Sequence, residues 1–289
     1  MTIHSMTGYA AQDRDLGQAS LHLELKSVNS RFLDLNFRCA EELRFLEMPI
    51  REKLTAAIGR GKLDFRLYLQ MSNGASAQLT PNLELVGQLA TLTSQVQHIL
   101  PAAAPLTVAD ILRWPGVLAN EAILPERLQT ECLSLLDAVL AEFLASRARE
   151  GARLADVLRE RAARMRAAVA KVEPMVPVAI ADYSERLATK LREAVAALDE
   201  DRIRQEIGVF AAKIDVAEEL ARLVTHLTEV ERVLAKGGAV GKRLDFLMQE
   251  LNREANTLAS KSVSAAVTAI ALELKLLIEQ MREQVQNLE

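Results

Sequence analysis

Aromatic residues make up only 4% of this 289-residue chain, with a single tryptophan. Ring surface that scarce leaves few platforms on which nucleic-acid bases could stack. Cysteine is nearly as rare, with Cys39 and Cys132 the two present. Both sit among apolar neighbours and outside the close spacing of a zinc or redox motif. They read as small core residues in a reducing compartment. No uncharged apolar run reaches the roughly 18 residues of a membrane span, and the opening MTIHSMTGYAAQDRD lacks the basic-then-apolar order of a secretion signal. These absences lead us to expect a soluble, cytoplasmic protein. The formal charge of −4 gives a polyanion no global attraction, so binding one needs a local arrangement of cations. Glycine is thin as well: between Gly116 and Gly208 the only one is Gly151.

What is present favours helix. Half of the chain is hydrophobic and 26% is charged, with Ala, Leu, Val, Glu and Arg dominant. The N-terminal third is the exception. SLHLELKSVNSRFLDLNFRC (residues 20–39) sets Leu21, Leu23 and Leu25 against His22, Glu24 and Lys26, then alternates again from Phe32 to Phe37. A period of two predicts two strands, read as a hairpin closed at Asn29–Ser30. EELRFLEMPIREKLTAAI follows with helical period and ends at Gly59; KLDFRLYLQM is again a strand, ending at Asn73–Gly74, and a helix resumes near residue 82. The fold class expected is α+β: an N-terminal antiparallel-sheet domain with helices (1–125), a long helical connector (126–200) and an all-helical C-terminal domain (201–289). Helices are expected over about 126–171, 179–196, 201–235, 242–261 and 264–287. Seven arginines between Arg147 and Arg166 scatter around the first of these among acidic residues. A solvated helix laced with ion pairs is the simplest reading; a ridge facing RNA is the other.

Two helix faces carry more chemistry than solvation requires. In GKRLDFLMQELNREANTLASK (241–261), Leu244, Leu247, Met248, Leu251, Ala255 and Leu258 form a core stripe. Lys242, Asp245, Gln249, Asn252, Arg253 and Asn256 lie opposite, flanked by Glu250 and Glu254. Asn and Asp weaken a helix by competing for its backbone, so their alignment marks either a functional face or a buried polar contact. In KIDVAEELARLVTHLTEV, Asp215, Glu219, Arg222, His226 and Glu229 share the face opposite Val216, Leu220, Leu223, Val224 and Leu227. A lone histidine is more often structural. Beside carboxylates and an arginine it could also serve as a general acid/base, or as a ligand for Mn²⁺ or Mg²⁺. GGAVGK lacks the spacing, the trailing Ser or Thr and the preceding strand of a phosphate loop, and reads as a hinge.

The order SMTGYA, ELKSVNSRFLDLNFR, GRGKLDF, REGARL, KIDVAEELARLVTHL, GKRLDFLMQELNREANTLASKS and MREQVQNLE resembles the YicC/YloC family of bacterial proteins from residue 5 to the C-terminus. The chain departs from the family pattern at Tyr9-Ala10-Ala11, where Phe-Gly-Arg is usual, and at Ala259, where glycine is usual. The resemblance implies a divalent-metal-dependent, cytoplasmic endoribonuclease that assembles as a hexamer around an RNA channel. In that frame the two polar faces are expected to meet in one cavity that takes single-stranded RNA. His226, Glu254, Asp245 and Arg253 are the catalytic candidates. Arg222, Lys242, Asn252 and Asn256 would hold RNA, and Glu219 and Glu250 would hold the metal. A non-catalytic RNA-binding adaptor and an oligomeric helical scaffold remain the alternatives.

Overall fold

The computed structural model describes residues 1–17, 19–71, 81–118, 123–194 and 200–289. Four strands, β1 (Gly8–Asp15), β2 (Ala19–Val28), β3 (Leu33–Cys39) and β4 (Gly61–Met71), form one sheet in the order β1-β2-β4-β3. The alternation seen in the sequence holds. Leu21, Leu23 and Leu25 on β2 and Leu63, Phe65 and Leu67 on β4 point to the buried side, with Leu25 opposite Phe65 and Leu23 opposite Leu67.

The pairing corrects the expected hairpin. β4 lies between β2 and β3 and runs parallel to β3, so the sheet is mixed and Asn29–Ser30 closes no β2–β3 turn. Between β3 and β4 the chain passes through a 3-10 turn (Glu41–Leu46) and α1 (Glu47–Ala57). Parallel neighbours need such a crossover, and strand–helix–strand was already the order in the sequence. The true hairpin joins β1 to β2, where Gly17 takes a positive φ and donates its N–H to the Asp15 carboxylate. Asn73–Gly74 lies outside the described residues.

Helices follow: α2 (Leu83–Ile99), α3 (Val108–Arg113), α4 (Pro125–Val172), α5 (Met175–Ala194), α6 (Glu200–Ile214), α7 (Ala217–Lys236), α8 (Gly241–Lys261) and α9 (Ala265–Val285). The expected helix over 201–235 is two helices. Asp215 breaks it by accepting the Ala217 N–H on its side chain, the local competition that makes aspartate a poor interior helix residue.

α4 has 48 residues, a rod of about 72 Å at 1.5 Å per residue. Its first half, from Leu128 to Phe143, packs under the sheet with Ile50 and Leu54 of α1. Its second half, from Leu154 to Val172, joins α7, α8 and α9 in a second core. The segment expected as a connector therefore contributes to both cores. The chain termini meet over the middle of this rod. Ser5 donates to the Arg147 carbonyl, Met6 to the Asn287 carbonyl, and Glu289 to the His4 carbonyl. Beneath them Arg147, 2% exposed, pairs with Glu289 and donates to the Ser5 carbonyl.

Candidate functional site

α7 and α8 pack as antiparallel neighbours through the apolar stripes read from the sequence. Leu220, Leu223, Leu227 and Val230 meet Leu244, Leu247, Leu251 and Leu258 in the second core. Gly237 and Gly238, both with positive φ, turn the chain between the helices. α8 then begins at Gly241, where a Cβ would overlap the Leu288 carbonyl, so only glycine admits the returning C-terminus.

Three ion pairs cross the seam between the helices. Lys261 Nζ lies 2.8 Å from Glu219 Oε1 at one end and also donates to the Asp215 carbonyl. Arg222 lies 3.6 Å from Glu254 in the middle and pairs with Glu218 on its own helix. Arg243 lies 3.3 Å from Glu229 at the other end. Residue numbers across these rungs sum to nearly the same value, as antiparallel pairing demands. By that register His226, between Arg222 and Glu229 on α7, stands across from Glu250, between Arg243 and Glu254 on α8. Both are half-buried.

The carboxylates of the seam differ in environment. Glu219 and Glu254 are 6% and 3% exposed, buried charges that need their cationic partners. Glu219 keeps one buried oxygen, Oε2, without a hydrogen-bond partner. Glu229 is held down to about 2, first by the hydrogen bond from Arg232 and then by Arg243. It is ionised at neutral pH and cannot supply a proton there.

The expected residues therefore divide into three groups. Glu219, Arg222, His226, Glu250 and Glu254 line one seam. Asp245 does not join them. It turns toward α9, where Arg282 lies 3.9 Å away, and it accepts a hydrogen bond from Gln249. Nine residues separate Asp245 from Glu254, which is half a turn of phase at about 100° per residue, so one face could not hold both. Asn252 lies on the Asp245 side by the same count. Lys242, Arg253 and Asn256 are exposed on the crest between the two edges. Arg243 and Lys261 were missed, although both fall within about 20° of Glu254 on the helical wheel.

The described donors of a single chain do not fit a resident divalent cation. Among the described residues, no three His, Cys, Asp or Glu side chains converge as ligands. The Lys261 ammonium and the Arg222 guanidinium already neutralise Glu219 and Glu254.

Fold and site define a two-core α+β protein in which one long helix ties a mixed sheet to a helical bundle bearing a charge-laddered seam. The chain matches the description "Endoribonuclease YicC-like, N-terminal region" over residues 3–156 and "Endoribonuclease YicC-like, C-terminal" over residues 172–289. It belongs to the YicC-like endoribonuclease family. A curated relative from Haemophilus influenzae, named "Probable endoribonuclease YicC", is 42% identical over 291 residues, spanning 99% of this chain and 100% of that protein. A second of the same name, from Clostridioides difficile, is 26% identical over 294 residues and 99% of both chains.

Proposed function

We propose that this chain is an endoribonuclease that cuts single-stranded RNA at the α7–α8 seam. The reading is carried by the register of the ladder, by which the half-buried His226 falls opposite Glu250. Arg222, Arg243 and Lys261 are tied to Glu254, Glu229 and Glu219. Lys242 and Arg253 are exposed on the crest and make no ion pair in the described structure. In the proposed reaction His226 takes the proton from the oxygen that attacks phosphorus and passes it to the ester oxygen that leaves, and Glu250 orients the imidazole. Arg253 offsets the negative charge that grows on the phosphoryl oxygens, and Lys242, about 16 Å further along α8, holds a flanking phosphate. Asn256 lies within reach of a base edge or a 2′-hydroxyl on the same crest.

The metal requirement and the assembly belong to the same proposal. An ion used in the reaction is taken as arriving with the RNA phosphates, since the described residues of one chain supply no complete ligand set. A homohexamer acting in the cytoplasm is the proposed working form. Apolar side chains left open on α9, Leu272 and Leu276 at 56% and 59% exposure, support a self-associating chain. Light scattering of the purified protein tests the oligomer.

The activity is tested with purified protein and labelled single-stranded RNA in Mn²⁺, Mg²⁺ or EDTA. His226→Ala and Glu250→Gln should each lower kcat about 10²- to 10⁴-fold, the range of a lost general acid/base, with little change in melting temperature. If the ladder only zips two helices together, both variants keep the wild-type rate. That result, or the absence of cleavage by wild-type protein in every metal, defeats the reading.

A further inference from the structure

Cations outnumber carboxylates at a second place away from the seam, where the sheet meets α4. Here a groove of about 430 Å³ is lined by Thr7, Tyr9, Lys26, Ser146, Arg149 and Arg153. We propose that this groove is a second RNA contact, holding a backbone phosphate on Lys26 and Arg149 with the adjacent base laid on the Tyr9 ring. The inference rests on RNA being what the chain binds, but not on where or whether the chain cuts it.

Ser146, Arg149 and Arg153 are spaced three and four residues apart on α4 and so share one face. Tyr9 and Lys26 are direct partners in the β1–β2 register and stand side by side on the open face of the sheet. Tyr9 is 55% exposed, so much of its ring is open to a ligand. Among the described residues Lys26 and Arg149 make no ion pair. Arg153 reaches Glu150 only at 4.0 Å, with its own side chain 81% exposed. Three cations against one carboxylate leave the groove positive. The Ser146 side chain adds a hydroxyl donor at its wall. A guanidinium, an ammonium and a hydroxyl suit the tetrahedral oxygens of a phosphate, and an exposed ring beside them suits an unstacked base. The floor is firmly built, because Gly8 lies so close to Arg147 and Phe143 that a Cβ would reach 2.7 Å from Arg147 Cγ.

The probe is a fluorescein-labelled oligouridylate, read by anisotropy across a salt series in EDTA. Lys26→Ala/Arg149→Ala should weaken binding about tenfold at 0.1 M salt and flatten the log–log salt slope by about 1.4, two single-strand phosphate contacts at about 0.7 each. Tyr9→Leu should weaken it about fivefold or more while leaving the slope intact. Lys171→Ala/Lys190→Ala removes the same charge elsewhere and should bind like wild type. Wild-type affinity and slope in the groove pair, an equal loss in the control pair, or no binding by wild-type protein each overturn the proposal. Because binding is read without turnover, a chain that binds here but never cleaves upholds this site while sinking the nuclease reading. A chain that cleaves but ignores these substitutions does the reverse.

Discussion

His4 shows how much a single residue can hide. In the sequence it stands in an unremarkable leader, yet in the fold its Nδ1 is buried without a hydrogen-bond partner. Burial, and then the nearby Arg147 guanidinium, depress its pKa below the usual 6.5, against a smaller opposing pull from Glu289. The unfolded chain therefore takes up this proton before the folded chain does. Stability is complete above about pH 6.5 and drains away as pH falls from there toward the depressed folded value. The urea midpoint should accordingly drop between pH 7.5 and pH 5.5 in wild-type protein and drop less in His4→Gln; equal drops in both would assign the effect elsewhere. Arg147 was equally illegible. It lies in an arginine-rich helix where solvation is the natural reading, and only the returning termini bury it. His226 was legible because its neighbours at helical spacing are local in sequence.

At the scale of elements, what periodicity encodes came through and what pairing encodes did not. The 126–171 helix, the strand KLDFRLYLQM and the helix over 242–261 were all readable, because a period of 3.6 or 2 is written within a few turns of chain. The neighbours of β3 were not, since a strand's own alternation does not say whether it returns on β2 or crosses to β4. The polar arc of α8 was likewise read as one face when it serves two edges, one toward α7 and one toward α9. Only the flanking helices decide where an arc wider than half the wheel is divided. Gly151 is the element-scale feature whose reason the sequence withheld. It is the lone glycine of a 48-residue helix, and a Cβ there would overlap the Ile3 carbonyl. Gly151→Ala therefore sets the better helix propensity of alanine, about 1 kcal/mol, against displacement of a backbone segment, with overpacking costs of about 1–3 kcal/mol. The clash should win. Denaturant unfolding is expected to show a net loss of up to about 2 kcal/mol, and a stabilised variant would mean that residues 1–5 do not dock on α4 in solution.

Across the whole molecule, the motifs at the two ends of the chain converge on one place, the middle of α4, where its two cores meet. Residues 3–6 lie against α4 and residues 286–289, and the last four residues hold Met6, His4 and Arg147 at once. Leu288, fully buried, belongs to the helical core, while β1 continues from the same N-terminal segment into the sheet. The clasp thus supplies a second mechanical tie between the cores besides the helix itself. A helix alone couples its halves weakly, because fraying at its centre costs only a few backbone hydrogen bonds once no side chains are packed over them. Intact protein should therefore melt in a single calorimetric transition. Removing residues 286–289 strips a buried leucine, worth about 2–5 kcal/mol, breaks the Arg147–Glu289 pair and frees the N-terminal segment. The shortened chain should show two resolved transitions, with the helical core melting first because Leu288 came from its interior. A single transition at an unchanged temperature would mean that α4 couples the cores unaided and that the meeting of the termini is incidental to stability.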